Sequence, residues 1–135
     1  MISTKGRYAI RFMIDLAEQS TDKPIPLDDS ASRQDISKKY LELIVKILVK
    51  GKLVKGTSGK GGGYRLMRRP EEYTIGEILE LTEGTLATVA CLDADAEQCP
   101  RKSFCKTLPM WKKFDTIVQD YFFNITIADL INGKF

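Results

Sequence analysis

Between Gly56 and Gly63 the chain has five glycines in eight residues, and no other stretch constrains its fold as tightly. Each glycine inside a regular helix or strand costs about 0.5–1 kcal/mol relative to alanine, so a run this dense belongs at a reversal. Leu53-Val54 before it and the alternating Tyr64-Arg65-Leu66 after it read as two short strands, which makes the run the tip of a hairpin. The run lacks the GxxxxGK[ST] order and does not join a long strand to a helix, so it is not a phosphate loop.

The residues before the hairpin predict three helices. Tyr8 to Gln19 has apolar residues at 8, 9, 12, 13, 16 and 17, the spacing of one helical face. A turn follows over Thr21 to Pro26. Leu27 to Gln34 reads as a short second helix, with Asp28 and Asp29 favouring its N-terminal dipole. Asp35-Ile36 makes a tight turn, and Ser37 caps a third helix to about Lys50 with Leu41, Ile44, Val45 and Leu48 as its buried stripe. Gly51 reads as the C′ residue that ends it. Short helix, tight turn, capped helix and glycine-tipped hairpin is the order of a winged helix-turn-helix, in a fold that is mostly α with a small β-hairpin wing.

Charge agrees with that order. Residues 1–69 hold 15 Lys+Arg against 7 Asp+Glu, a net of +8, while residues 70–135 hold 6 against 11, a net of −5. The basic half suits a polyanion. In a helix-turn-helix the second helix presents its N-terminal residues to base edges in the major groove, here Ser37, Lys38, Lys39, Tyr40 and Glu42. An acid such as Glu42 is repelled by phosphates but can accept from a cytosine amino group. The hairpin supplies Lys55, Lys60 and Arg65, with Arg68 and Arg69 extending the cationic strip. The expected partner is double-stranded promoter DNA.

The second half has a different character. Thr74 caps a helix over Ile75 to Thr82, with Glu77 at the capping-box position. Glu83 to Phe104 has no strong period. Leu108 to Phe123 carries Trp111, Phe114, Ile117, Val118, Tyr121 and Phe122 at three- and four-residue spacing, a long amphipathic helix whose aromatic stripe suits a subunit interface. Asn124 to Leu130 is a second capping motif with a short terminal helix. The division expected is residues 1–70 for DNA binding, 71–90 as a connecting helix, 91–107 as a cysteine-bearing loop and 108–135 as a dimerisation helix with a C-terminal segment.

The chain has no histidine and three cysteines. Histidine-based triads, dyads and zinc fingers are excluded, and an odd number of cysteines cannot form a fully paired disulfide framework. No activated nucleophile or base is recognisable, so the chain is not expected to be an enzyme. Met1 to Asp15 is charged at Lys5, Arg7, Arg11 and Asp15, unlike a signal peptide, and no stretch approaches the ~20 apolar residues of a membrane span. The expectation is a cytoplasmic protein without a membrane partner, where clustered cysteines suit metal or redox chemistry. Cys91, Cys99 and Cys105 are the candidate ligands. Three thiolates leave a fourth position to an acid (Asp93, Asp95, Glu97 or one from a partner), a small thiol or water. Unliganded thiols and a zinc site remain open on spacing alone.

The opening Ser3-Thr4-Lys5-Gly6-Arg7-Tyr8-Ala9, the Ser37-x-x-Tyr40-Leu41-Glu42 helix start, the Gly61-Gly62-Gly63-Tyr64-x-Leu66 wing, Ile75-Gly76-Glu77-Ile78, the three cysteines, Trp111 and the closing Asn124-Ile125-Thr126-Ile127-x-x-Leu130 together resemble the Rrf-type winged-helix regulators over nearly the whole chain. The cysteine loop makes the chain most similar to the iron–sulfur (IscR) branch. The resemblance implies a homodimer built on the long C-terminal helix and reading a pseudo-palindromic site. It also implies an iron–sulfur cluster on Cys91, Cys99 and Cys105, 2Fe-2S in preference to 4Fe-4S, that controls promoter binding, with repression as the expected action. The alternatives within the family are a cluster-free thiol or nitric-oxide sensor and a CymR-like regulator acting through an enzyme partner.

The chain departs from the branch pattern C-x₅-C-x₅-C-x₂-H. Its loop reads Cys91-x₇-Cys99-x₅-Cys105-x₂-Leu108, with leucine where the histidine ligand would stand. Arg7 occupies the place of an acid that serves as ligand in another branch. Ser30 replaces an aliphatic core residue, which suggests weaker helix packing. Ser58 replaces a wing-tip arginine, which moves the minor-groove cation to Lys60.

Overall fold

The computed structural model describes residues 2–19 and 22–135. Its elements run α1 (Thr4–Gln19), α2 (Leu27–Gln34), α3 (Lys38–Lys50), β1 (Val54–Thr57), β2 (Gly63–Leu66), α4 (Ile75–Glu83), α5 (Leu108–Phe123) and α6 (Ile127–Asn132), with 3₁₀ turns at Pro70–Glu72 and Ala90–Leu92. The fold is the expected one, mostly helical with a two-stranded antiparallel hairpin. The turn expected over Thr21–Pro26 begins at a residue outside the described ones.

The first helix starts at Thr4, four residues before the apolar periodicity becomes visible. Its first turn is held by capping: the Ser3 hydroxyl accepts from the Gly6 N–H at 3.2 Å and donates to Glu83 Oε1 at 2.7 Å. Asp35 takes the left-handed conformation at φ 52° and makes the sharp turn between α2 and α3. The end of α3 differs from expectation by one residue. Gly51 has φ −79°, and the left-handed residue is Lys52 at φ 60°. The Leu53 N–H reaches back to the Leu48 carbonyl at 2.9 Å, closing the helix as a Schellman turn around a lysine.

The hairpin pairs Val54 with Leu66 through Thr57 with Gly63, so the first strand begins one residue later than expected. Ile25 adds a single antiparallel bridge to Tyr64, with both backbone bonds at 2.8 Å. This approach explains Gly63, since a Cβ there would stand 2.3 Å from the Ile25 carbonyl oxygen.

One buried cluster forms the core. Phe12, Met13, Leu41, Ile44, Leu48, Ile78 and Leu79 are sealed within it. Ile125 and Ile127 belong to it too, because the C-terminal segment returns to the winged half. Ile75 N–H donates to Ile125 O at 2.8 Å and Ile127 N–H to Tyr73 O at 3.0 Å, and Thr126 and Asp129 close a reciprocal capping box on α6. By contrast α5 buries no residue completely. It rests on α4, where the Phe123 ring lies so close to Gly76 that a Cβ would sit 2.6 Å from it. Thr74 caps α4 by accepting from the Glu77 N–H, while the Glu77 carboxylate goes to Arg68 at 2.7 Å.

Candidate nucleic-acid interface and cysteine pocket

Two polar arrangements fix the surface that α3 and the hairpin present. The first ties α2 to α1. Asp15 is 2% exposed and accepts from Ser30 Oγ at 2.7 Å, from Arg33 Nε and Nη2 at 2.9 Å each, and from Gln34 Nε2 at 3.2 Å. Arg11 closes the group by donating to the Gln34 carbonyl and side-chain oxygens. Burial works to raise the Asp15 carboxyl, but hydrogen bonds from Arg33, Ser30 and Gln34 and the Arg33 charge outweigh it and hold the group below the usual carboxylate range. The expectation of weakened packing at Ser30 is therefore corrected. The serine is fully buried and exchanges an aliphatic contact for a place in a satisfied polar cluster.

The second arrangement ties the hairpin to the body. Tyr73 is fully buried, and its hydroxyl donates to Leu53 O at 2.6 Å while accepting from the N–H groups of Met67 and Arg68 at 2.9 and 3.0 Å. The Arg68 guanidinium covers the same ring at 4.3 Å. One side chain thus pins the base of β1 and the end of β2.

On that frame Ser37 caps α3 by accepting from the Tyr40 N–H at 3.3 Å. Lys39 and Glu42 are exposed. Lys38 is exposed too, but its ammonium lies 2.9 Å from Asp28 on α2. Tyr40 is half-buried, with its ring edge-on to Tyr8 at 5.8 Å. Lys55, Ser58, Lys60 and Arg65 all project from the hairpin into solvent. Between α3 and the hairpin runs a groove of about 570 Å³ whose lining includes Lys46, Lys50, Ser58 and Tyr64. Lys46 and Lys50 are cations that sequence reading overlooked. Their signal was present: 39, 46 and 50 share a helical face opposite the buried stripe of 41, 44, 45 and 48.

The three cysteines come together more loosely. Cys91, Cys99 and Cys105 are free thiols lining one pocket of about 370 Å³, with Asp93, Glu97 and Leu108 also in its wall. Asp95 does not line it; its N–H donates to Asp93 Oδ1 at 3.2 Å. Cys105 stands at the head of α5. Hydrogen bonding to the Thr107 hydroxyl at 3.3 Å, with the Thr107 and Leu108 backbone groups and the Arg101 charge, lowers its thiol below the usual value. Lys102 and Lys112 face the same pocket. The loop's approach is fixed by Thr88, whose N–H and hydroxyl both donate to Asp115 on α5, at 2.8 and 3.0 Å. Among the described residues no three cysteine or carboxylate side chains are drawn tightly enough to hold a single ion. The donor set nevertheless fits an iron–sulfur cluster: soft thiols with no disulfide competing for them, and carboxylates in the same wall.

Comparison with known proteins identifies the family. The family described as "Rrf2: Iron-dependent Transcriptional regulator" matches residues 2–133. The HTH-type transcriptional regulator IscR of Pectobacterium atrosepticum is 34% identical over 133 residues, 98% of this chain and 80% of that protein. Among solved structures, CymR, the global cysteine regulator of B. subtilis, superposes with a TM-score of 0.77 at 34% identity, covering 96% of this chain and 95% of that one. T. potens IscR superposes with a TM-score of 0.77 at 31% identity, covering 98% and 87%. With a winged helix-turn-helix fold and a family match across nearly its full length, the chain belongs to the Rrf2 family of transcriptional regulators and is similar to IscR.

Proposed function

We propose that this chain acts as a homodimeric repressor whose hold on promoter DNA is set by an iron–sulfur cluster, 2Fe-2S in preference to 4Fe-4S, carried by Cys91, Cys99 and Cys105. The observation that carries the reading is the shared pocket: three free thiols from separate parts of one loop open into the same concavity at the head of α5. A bound cluster supplies iron that can change oxidation state or be lost, which is the chemistry a sensor needs. Leu108 gives the pocket an apolar wall at the place of the family's histidine ligand, so the fourth donor would be a carboxylate such as Asp93 or Glu97, or a small thiol, water or acid from outside the chain.

The protein's own residues supply the rest. Hydrogen bonding keeps Cys105 disposed to the thiolate form that metals require. Lys102 and Lys112 offset the negative charge that three thiolates bring. A cluster held by all three thiols would draw Cys91 and Cys99 toward Cys105, and the Thr88 bonds to Asp115 would link that loop to α5. The outer face of α5 carries Met110, Phe114, Ile117 and Tyr121, each about half exposed, at the three- and four-residue steps of a helix–helix seam. Pairing two chains along that seam relates two copies of α3, which must match half-sites about 34 Å apart. Lys39, Lys46, Lys55, Lys60 and Arg65 neutralise phosphates, while Ser37, Tyr40 and Glu42 face the base edges. Lys38 and Ser58 serve as secondary backbone contacts. The absence of any helix long and apolar enough to cross a membrane, among the described residues, is in keeping with action in the cytoplasm.

A second reading is a thiol or nitric-oxide sensor without a cluster. The lowered Cys105 thiol favours it, because the thiolate is the reactive form. Anaerobic reconstitution with ferrous iron and sulfide separates the two. The cluster reading expects visible charge-transfer absorption and a change in affinity for selected duplex DNA at fixed salt. Equal affinity of loaded and cluster-free protein for every duplex tested would overturn cluster control.

A further inference from the structure

The solvent face of α3 carries two apolar residues that phosphate binding does not explain, Leu43 and Val49, and Leu43 is the more exposed. Leu43 is 55% exposed beside the cations Lys39, Lys46 and Lys50, whereas Val49, 39% exposed, lines the groove against the hairpin. Lys39 lies one turn before it and Lys46 three residues after it, so both neighbours along the face are cations. A cation–leucine–cation face laid into the major groove would send the long cationic chains toward the phosphate walls. The shorter, apolar leucine would then meet the floor.

The floor offers one apolar feature, the 5-methyl group of a pyrimidine; every other distinguishing group there is a hydrogen-bond donor or acceptor. We infer that Leu43 is a specificity-determining residue that reads a pyrimidine 5-methyl group in each half-site. Leucine has nothing to offer the polar edges, and against cytosine or a purine it would leave a desolvated donor or acceptor without a partner. Next to it Glu42 can take a cytosine amino proton, so the two residues divide the methyl and amino edges between them. The same methyl group is present on thymine and on 5-methylcytosine.

This inference rests on the DNA-binding reading, and the test keeps the two apart. Full-length protein is used to select binding sites from a random duplex pool, and salt-dependent retention of duplex establishes DNA binding by itself. In the selected site each thymine is then replaced by deoxyuridine, which removes only the methyl group. The expected result is one position per half-site where the replacement weakens wild-type binding about fourfold, the equivalent of one buried methyl group. Leu43→Ala should be insensitive there, and Leu43→Gln should shift the selected base toward adenine, which an amide can bind bidentately. Replacing that thymine by cytosine should weaken binding and 5-methylcytosine should restore part of the loss. Because Leu43 is exposed, both variants should melt like the wild type. The inference is overturned if no thymine is sensitive to loss of its methyl group, or if Leu43→Ala retains the sensitivity. If no duplex is retained at any salt concentration, the DNA-binding reading falls and this inference falls with it.

Discussion

The winged half of the molecule closes on itself, whereas the cysteine loop and α5 do not. In the winged half the buried carboxylate Asp15 has four donor bonds, and the buried phenol Tyr73 makes three hydrogen bonds. No buried side-chain polar atom among the described residues lacks a partner. The buried core cluster gathers residues from Ala9 to Leu86 and then resumes at Ile125, and from the stretch between only the partly buried Phe122 packs against it. In that stretch three thiols share a pocket without meeting, and four large apolar side chains stand in solvent along one face of α5. A stripe of exposed apolar side chains suits an interface. The difference teaches that the first region, with the returning C-terminal segment, satisfies its own buried groups, while the second leaves thiols and apolar side chains open, as the proposed dimer and cluster require.

The comparison can be broken most directly in the incomplete region. Replacing Cys91, Cys99 and Cys105 together by alanine should abolish all visible iron–sulfur absorption after reconstitution, while the thermal melting of the cluster-free protein stays close to wild type. A large loss of melting temperature would mean that the thiols belong to the core after all. Next in size is the α5 face. Ile117→Asp puts a charge at the centre of the exposed stripe and should convert a dimer to monomer in sedimentation, weakening duplex binding by well over tenfold as the paired half-sites are lost.

In the closed region effects should appear as stability. Tyr73→Phe removes the hydroxyl from the Leu53 carbonyl and from two backbone N–H groups, and should cost about 2–4 kcal/mol in denaturant unfolding, since buried groups are left unpaired. Asp15→Asn should cost less, about 1–2 kcal/mol, because an amide keeps part of the network and Arg33 is partly solvated. Its pH dependence has a definite sign. The folded carboxyl is held below its unfolded value of roughly 4, so its contribution is complete above that pH and is lost as pH falls through the folded value. The gap between wild type and Asp15→Asn should therefore narrow on acidification, and a gap that widens would contradict the assignment. The smallest effect is expected at the wing tip. Lys60→Ala should reduce the salt slope of duplex binding by about 0.9, one phosphate contact, and leave the selected sequence unchanged.

Much of this was legible in the residues. The α3 cap at Ser37, its buried stripe and the full span of α5 are local matters of capping and 3.6-residue periodicity, and the structure has them where the sequence puts them. The start of α1 was missed because residues 4–7 carry little apolar signal, and their helix is held by Ser3 and by Glu83, eighty positions away. Ser30 read as a packing defect because its partner Asp15 lies on another helix. The cations at Lys46 and Lys50 were passed over in favour of the helix start, although the same periodicity that located the core also located them.

What the sequence determined by itself is the kind of chain this is. Its helix order, glycine-tipped hairpin, basic first half and three cysteines without a histidine follow from composition and spacing, since short-range geometry sets which residues share a face. The tertiary structure alone decided which distant groups meet. It placed Asp15 beneath Arg33, Tyr73 under the hairpin, the three thiols around one pocket and Leu43 in solvent between two lysines. Those meetings depend on how helices pack across the core, and a linear pattern does not carry the distance between two elements.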